Sequence, residues 1–208
     1  MGLLSKIFSN TCKPEGFWGK IMVAGMNGGS HAEMASWGLD FGNVPSKGEI
    51  LDIGCGGGAN LRRLMQRSLK GKVIGVDYSP VSVQKSVKVN TAAIKNERCQ
   101  VLLANVAHLP FADNTFTMAT AFETIYFWPD IERSFAEVRR VLVLGGKFLI
   151  VNEDDGLSGN NEKWEKIIDG MHTYTPDEVK AYLTAAGFKS ITIHRNEPKH
   201  WLAVTAVK

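Results

Sequence analysis

The sequence predicts an α/β fold: seven strands in a mostly parallel sheet, helices on both faces, and an antiparallel hairpin at the C-terminal end. Three observations predict it. Residues 50–58 read I-L-D-I-G-C-G-G-G, an apolar run ending in an acid and then a glycine-rich turn into an amphipathic stretch. From there short apolar runs alternate with helical patterns, and strands joined by helices imply right-handed crossovers and a parallel sheet covered on both faces. The last two apolar runs are separated only by Asn196-Glu197-Pro198-Lys199, a connection too short for parallel strands.

Taken in order, the strand at 50–53 leads into a helix over 59–70, whose Leu61, Leu64, Met65 and Leu69 share one face. Gly71 is expected to end that helix, and Arg62, Arg63 and Arg67 to form its solvated side. Residues 72–77 form the second strand, and Ser79-Pro80 supplies an N-cap and a first-turn proline for the next helix. Strands follow at 100–104 and 116–122, a helix at 129–144 carrying Ile131, Phe135, Val138 and Leu142, and a fifth strand at 147–151. Thr175-Pro176-Asp177-Glu178 reads as a capping box opening a helix that closes at Gly187. Strands at 190–194 and 201–207 complete the hairpin.

Residues 45–208 are expected to form the main domain and residues 1–44 an N-terminal segment. Frequent glycines there, Gly38 and Gly42 among them, are expected to interrupt any long helix. Its Phe17, Trp18, Met22, Met26, Met34, Trp37 and Phe41 either pack against the main domain or form a lid over a ligand. His31 reads as a surface or packing histidine.

Composition narrows the function classes. With 208 residues, 44% hydrophobic and 22% charged, one ordinary domain can bury a sizeable core. A formal charge of +3 announces neither a nucleic acid nor a membrane surface. Three cysteines, Cys12, Cys55 and Cys99, give neither a disulfide framework nor a metal-ligand spacing, so no metal is expected and a reducing cytoplasm fits best. M-G-L-L-S-K at the start carries no apolar run of signal-peptide length, and no stretch approaches a membrane span.

In open α/β sheets a ligand lies outside the carboxyl ends of the strands. That rim holds Asp52 and the glycine turn, Asp77 and Tyr78, Asn105 and Val106, and Phe122 and Glu123. Gly54, Gly56 and Gly58 let backbone approach a ligand closely. The two oxygens of Asp77 suit the vicinal diol of a ribose, Tyr78 an adenine face, Asn105 the adenine amino edge through its carbonyl, and Val106 a ring nitrogen through its N–H. Cys55, inside the turn at a helix start, either has a lowered pKa or fills space beneath the cofactor. The pattern G-x-G-x-x-A also fits a dinucleotide site, but a carboxylate at Asp52 opposes a pyrophosphate and suits a cationic amino group. Too little chain follows residue 151 for the substrate domain of a dehydrogenase.

L-D-I-G-C-G-G-G at 51–58 and V-D-Y-S at 76–79 resemble the glycine motif and ribose-binding turn of the class I S-adenosylmethionine-dependent methyltransferases, nearest the UbiE/COQ5-like, small-molecule (methyltransferase type 11) branch. L-P-F-A-D-N-T-F at 109–116, V-R-R-V-L-V-L-G-G-K-F-L-I at 138–150 and T-P-D-E-V-K-A-Y-L-T-A-A-G-F at 175–188 extend the resemblance in order. It implies a Rossmann-like fold, S-adenosylmethionine as cofactor, and methyl transfer to a small-molecule acceptor on O, N or C. It further implies that Asp52 and the glycines, with Cys55 and Phe122 beside them, hold the methionine part, Asp77 the ribose, and Asn105 and Val106 the adenine. The family commonly has Asp where Asn105 stands. A nicotinamide-dependent oxidoreductase and a non-catalytic cofactor-binding module are the alternatives.

A base for the acceptor is sought among Glu123, Glu153, Asp154 and His172, with Glu123 and His172 taken as catalytic candidates. Tyr126, Phe127, Trp128, Trp164 and Tyr174 either line an acceptor pocket or pack under loops. Residues 121–124, A-F-E-T, lack the Asn/Asp-Pro-Pro-Tyr/Phe signature of base and glutamine methylation, which disfavours nucleic acid.

Overall fold

A computed structural model describes residues 29–159, 165, 166, 168 and 170–208. Its seven-stranded sheet has the order β3-β2-β1-β4-β5-β7-β6. The strands are β1 Lys47–Ile53, β2 Lys70–Asp77, β3 Cys99–Leu103, β4 Phe116–Phe122, β5 Leu142–Asn152, β6 Lys189–Asn196 and β7 Trp201–Val207. The first five pair in parallel, whereas β7 runs antiparallel to both β5 and β6. The C-terminal hairpin therefore folds back, so that its last strand inserts beside β5 and leaves β6 at the edge. A dinucleotide-binding sheet with the order 3-2-1-4-5-6 has no such inserted strand.

Helices cover both faces: α1 Ser30–Gly42, α2 Ala59–Arg67, α3 Pro80–Val89, α4 Thr91–Lys95, α5 Ile131–Val141 and α6 Pro176–Ala185. Leu51, Ile53, Ile150 and Val204 of the sheet pack with Phe135 and Val138 of α5 and Val179 and Leu183 of α6. Ile50, Val73, Leu149 and Val151 pack with Met34 and Leu39 of α1 and Leu61 and Leu64 of α2. The expected caps are present. Ser79 accepts a hydrogen bond from the Ser82 N–H, and Thr175 and Glu178 form a reciprocal capping box with Pro176 in the first turn. Among the described residues no helix is long and apolar enough to cross a membrane.

The largest difference from expectation is α1. Its glycines permit close packing instead of breaking the helix: a Cβ on Gly38 would collide with both γ carbons of Val151, and one on Gly42 would lie 2.9 Å from the Met118 methyl. Met34 is buried, Trp37 lies against Trp201, and Phe41 stacks on His194 with centroids 3.9 Å apart. The aromatic and Met residues of 1–28 lie outside the described residues. Gly38→Ala should destabilise the fold by about 1–3 kcal/mol, the usual cost of overpacking, read as a lower urea midpoint. An unchanged midpoint would show that α1 is not seated on Val151.

Boundaries also differ. Helix α2 stops at Arg67, where the Ser68 N–H caps back to the Leu64 carbonyl, and Gly71 lies inside β2 instead of ending the helix. An added Cβ on Gly71 would lie 2.8 Å from the Gly48 carbonyl, so the glycine serves a close strand approach. Leu69, expected on the buried face, is 70% exposed. Strand β5 begins at Leu142, five residues before the predicted start, because Leu142 pairs with Phe116 ahead of a register shift. Arg67 is not merely solvated: it donates to the Asp40 carboxylate at 2.9 Å and to the Ser36 carbonyl, tying α2 to α1.

Candidate active site

The strand ends converge on an open cleft lined by the turn residues Gly54 to Gly57, by Phe122 at the end of β4 and Glu123 after it, and by His31, Met34 and Arg63. Its floor is the glycine turn. The Gly54 and Cys55 N–H groups both donate to the Val76 carbonyl, which locks the turn to the end of β2. Gly54, Gly56 and Gly58 all have positive φ, but their surroundings differ. A side chain on Gly54 would strike Thr124, and one on Gly58 would strike Ser86 and Asn90, while nothing lies within 4 Å of an added Cβ on Gly56. Gly56 is thus where the backbone is bare toward a ligand.

Asp77 ends β2 and is 7% exposed. One carboxylate oxygen accepts from the Gly56 N–H and the other from the Ser79 N–H, both at 2.9 Å. Burial raises its pKa, and these two N–H groups together with the Ser82 hydroxyl oppose the rise. With the Ser82 hydroxyl counted beside the two N–H groups, the carboxylate keeps acceptor capacity for a further hydroxyl donor. Tyr78 beside it is 40% exposed.

Asp52 is 1% exposed and does not line the cleft. Its Oδ1 accepts from the Thr120 hydroxyl at 2.7 Å, and its Oδ2 has no partner. Burial pushes its pKa up to about 7, the Thr120 hydroxyl lowers it, and the Asp77 charge raises it. A buried oxygen without a donor requires explanation, and a cationic group or a bridging water would supply the missing donor. The turn therefore fits a cofactor with an amino group at this end: it has a bare glycine, an incomplete buried carboxylate and, one strand over, a carboxylate suited to a diol.

Asn105 is exposed, and its Oδ1 accepts from the Ala107 N–H at 2.9 Å, which fixes the bend after β3. Val106 is buried in the core. Cys55 is buried, 3.9 Å from the Ser86 hydroxyl. Burial, then the charges of Asp77 and Asp52, push its thiol upward, so the lowered pKa expected of a helix start does not arise and the residue fills space.

Glu123 lies at the end of β4 in a left-handed conformation, φ 58°. It lines the cleft, and its Oε1 accepts from the Glu153 N–H and, at 3.4 Å, from the Tyr126 hydroxyl. Its pKa is pushed up to about 8, first by burial, with the Glu153 N–H lowering it and the Glu153 charge adding to the rise. His172 is not brought to the cleft: it is exposed, its Nδ1 is 3.6 Å from Glu165, and its N–H donates to the Tyr126 carbonyl. Tyr126, Trp128 and Tyr174 are buried in packing under the loops, with the Trp128 indole N–H held by Thr124.

His31 and Arg63 are among the cleft residues that the sequence did not place there. His31, on the first turn of α1, lies with its Nδ1 3.6 Å from Glu153 Oε2. Arg63 lines the cleft instead of pointing to bulk solvent, and burial, then Arg62 and Arg67, lower its pKa. A helical pattern marks which face of α2 is polar, but not that the polar face borders a cleft.

A seven-stranded sheet with an inserted antiparallel strand and a glycine turn facing an acid-ended rim defines a Rossmann-like methyltransferase fold. Residues 51–150 match the family described as "Methyltransferase domain". A 24-methylenesterol C-methyltransferase of Arabidopsis thaliana is 32% identical over 119 residues, covering 57% of this chain and 32% of that protein. A malonyl-[acyl-carrier protein] O-methyltransferase of Geobacter sulfurreducens is 30% identical over 165 residues, covering 74% and 61%. An S-adenosylmethionine-dependent methyltransferase structure from Aquifex aeolicus superposes with a TM-score of 0.74 at 18% identity, covering 90% of this chain and 97% of that one, a likeness of fold. The chain is thus similar to methyltransferases over residues 51–150 and shares the fold of an S-adenosylmethionine-dependent methyltransferase. It spans less than two thirds of the curated relatives' length.

Proposed function

We propose that the protein transfers a methyl group from S-adenosylmethionine to a small organic acceptor. The observation that carries this reading is the order of polar groups along the sheet. Asn105 follows β3, Asp77 ends β2, the bare Gly56 turn follows β1, and Glu123 ends β4, in strands that neighbour one another in that sequence. Read across the rim, that order matches adenine, ribose, methionine part and acceptor. Asp77 accepts from the ribose hydroxyls, the turn holds the amino end with the buried Asp52 carboxylate behind it, and Asn105 and Val106 meet the adenine. Phe122 and Met34 keep water from the methionine end, and Glu123 faces the acceptor.

When bound, the cofactor supplies a methyl group already activated on a sulfonium. The chain's task is then to hold the acceptor in line and to exclude solvent. The relatives include both a C- and an O-methyltransferase, which supports a small-molecule acceptor without choosing its atom. A cytoplasmic location agrees with two buried free thiols, Cys55 and Cys99. Incubation with methyl-labelled S-adenosylmethionine and a panel of sterols, phenols and carboxylic acids should label one of these small molecules. Tight cofactor binding without any labelled product across the panel would instead favour a non-catalytic module.

A further inference from the structure

We infer that His31, Glu123 and Glu153 form a binding site for a divalent cation at the acceptor end of the cleft. The three come from separate parts of the fold: the first turn of α1, the end of β4 and the residue after β5. One ligand atom from each can be chosen so that all lie within 4.8 Å of one another. Two ligands on a common ion lie roughly 3–4 Å apart when each bond is about 2.1 Å, so shifts of about an ångström in three partly exposed side chains close the site.

The histidine separates this cluster from a pair of surface carboxylates. Its imidazole is the one side chain of positive capacity within ion-pair distance of either glutamate among the described residues. Two carboxyl groups and an imidazole converge there, three donors of the kind a divalent ion takes. The Glu123 carboxylate is also held in advance. The Glu153 N–H and the Tyr126 hydroxyl both bind its Oε1, which leaves Oε2 for an ion, the kind of outer support that orients metal-binding carboxylates.

One imidazole and two carboxylates suit Mn²⁺ or Zn²⁺. Since His31 and Glu123 line the cleft, the remaining coordination positions open into it. There an ion would hold an oxygen of the acceptor and lower its pKa, a role that rests on the methyltransferase reading, whereas the cation site itself does not.

The test is titration of chelator-treated protein with Mn²⁺, following the paramagnetic resonance signal of the free ion. One saturable ion per chain is expected. His31→Ala, His31→Gln and Glu153→Gln should each weaken it at least tenfold while melting as the wild type does. Glu33→Gln, which removes an exposed carboxylate of the same helix paired with Lys199, should leave it unchanged. No saturable binding below about 1 mM, the weak end of protein cation sites, would overturn the inference, as would wild-type affinity in folded His31 and Glu153 variants. A parallel metal-free titration with S-adenosylhomocysteine tests the methyltransferase reading by itself, so failure of one is distinguishable from failure of the other.

Discussion

Asp77→Ala is expected to weaken binding of S-adenosylmethionine and S-adenosylhomocysteine by at least about 1.5–3 kcal/mol, the range for hydrogen bonds to a charged group. That is roughly a ten- to hundredfold rise in Kd. The substitution removes the proposed acceptors for the ribose diol and also frees the Gly56 and Ser79 N–H groups that Asp77 now holds. The glycine turn should therefore loosen as well as lose its ligand contact. Asp77→Asn keeps one acceptor and should fall between the two. An unchanged Kd in a folded Ala variant would reject the ribose role.

Asp52→Asn should have two separable effects. In the cofactor-free protein the Asp52 pKa is raised from 3.8 to about 7. Between those values the unfolded chain has released a proton that the folded chain retains. Stability from this group is thus fully present below about pH 4, declines as pH rises toward 7, and is flat above. The decline amounts to up to about 4 kcal/mol at 1.36 kcal/mol per unit. Asp77 and Glu123, also raised, act in the same direction, so the quantity to measure is the difference between wild type and variant in urea denaturation at pH 5 and pH 8. Between those two pH values only the part from pH 5 to about 7 is sampled, so the variant's stability should depend less on pH by about 3 kcal/mol, and equal slopes would contradict the buried, raised carboxyl. Binding should show the opposite trend. Wild-type affinity for the cofactor should strengthen as pH climbs toward 7 and Asp52 ionises, and the variant should bind more weakly with no such gain.

Much of the sheet was legible because its strands are buried on both faces and read as apolar runs bounded by turn residues; β4 matches its predicted bounds residue for residue. Ser79-Pro80 and the Thr175–Glu178 box were legible because caps are local hydrogen-bond chemistry. Helix α1 was not. A glycine that breaks a helix in water and one that lets it lie against Val151 look the same in sequence. The early start of β5 was hidden for a related reason, since Leu142 to Leu144 continue the apolar pattern of α5 and only pairing with Phe116 makes them strand. At the site, the acids at strand ends could be named, because a parallel sheet fixes where its carboxyl ends gather. His31 could not, because its approach to Glu153 depends on where α1 docks.

The central claim is that the rim from Asn105 to Glu123 holds S-adenosylmethionine. Calorimetric titration of the purified chain with S-adenosylhomocysteine, with NADH as the competitor, tests it most directly. One saturable site for S-adenosylhomocysteine that NADH does not displace is expected. Tight NADH binding with no heat from S-adenosylhomocysteine would contradict it and restore the dinucleotide reading of the glycine turn.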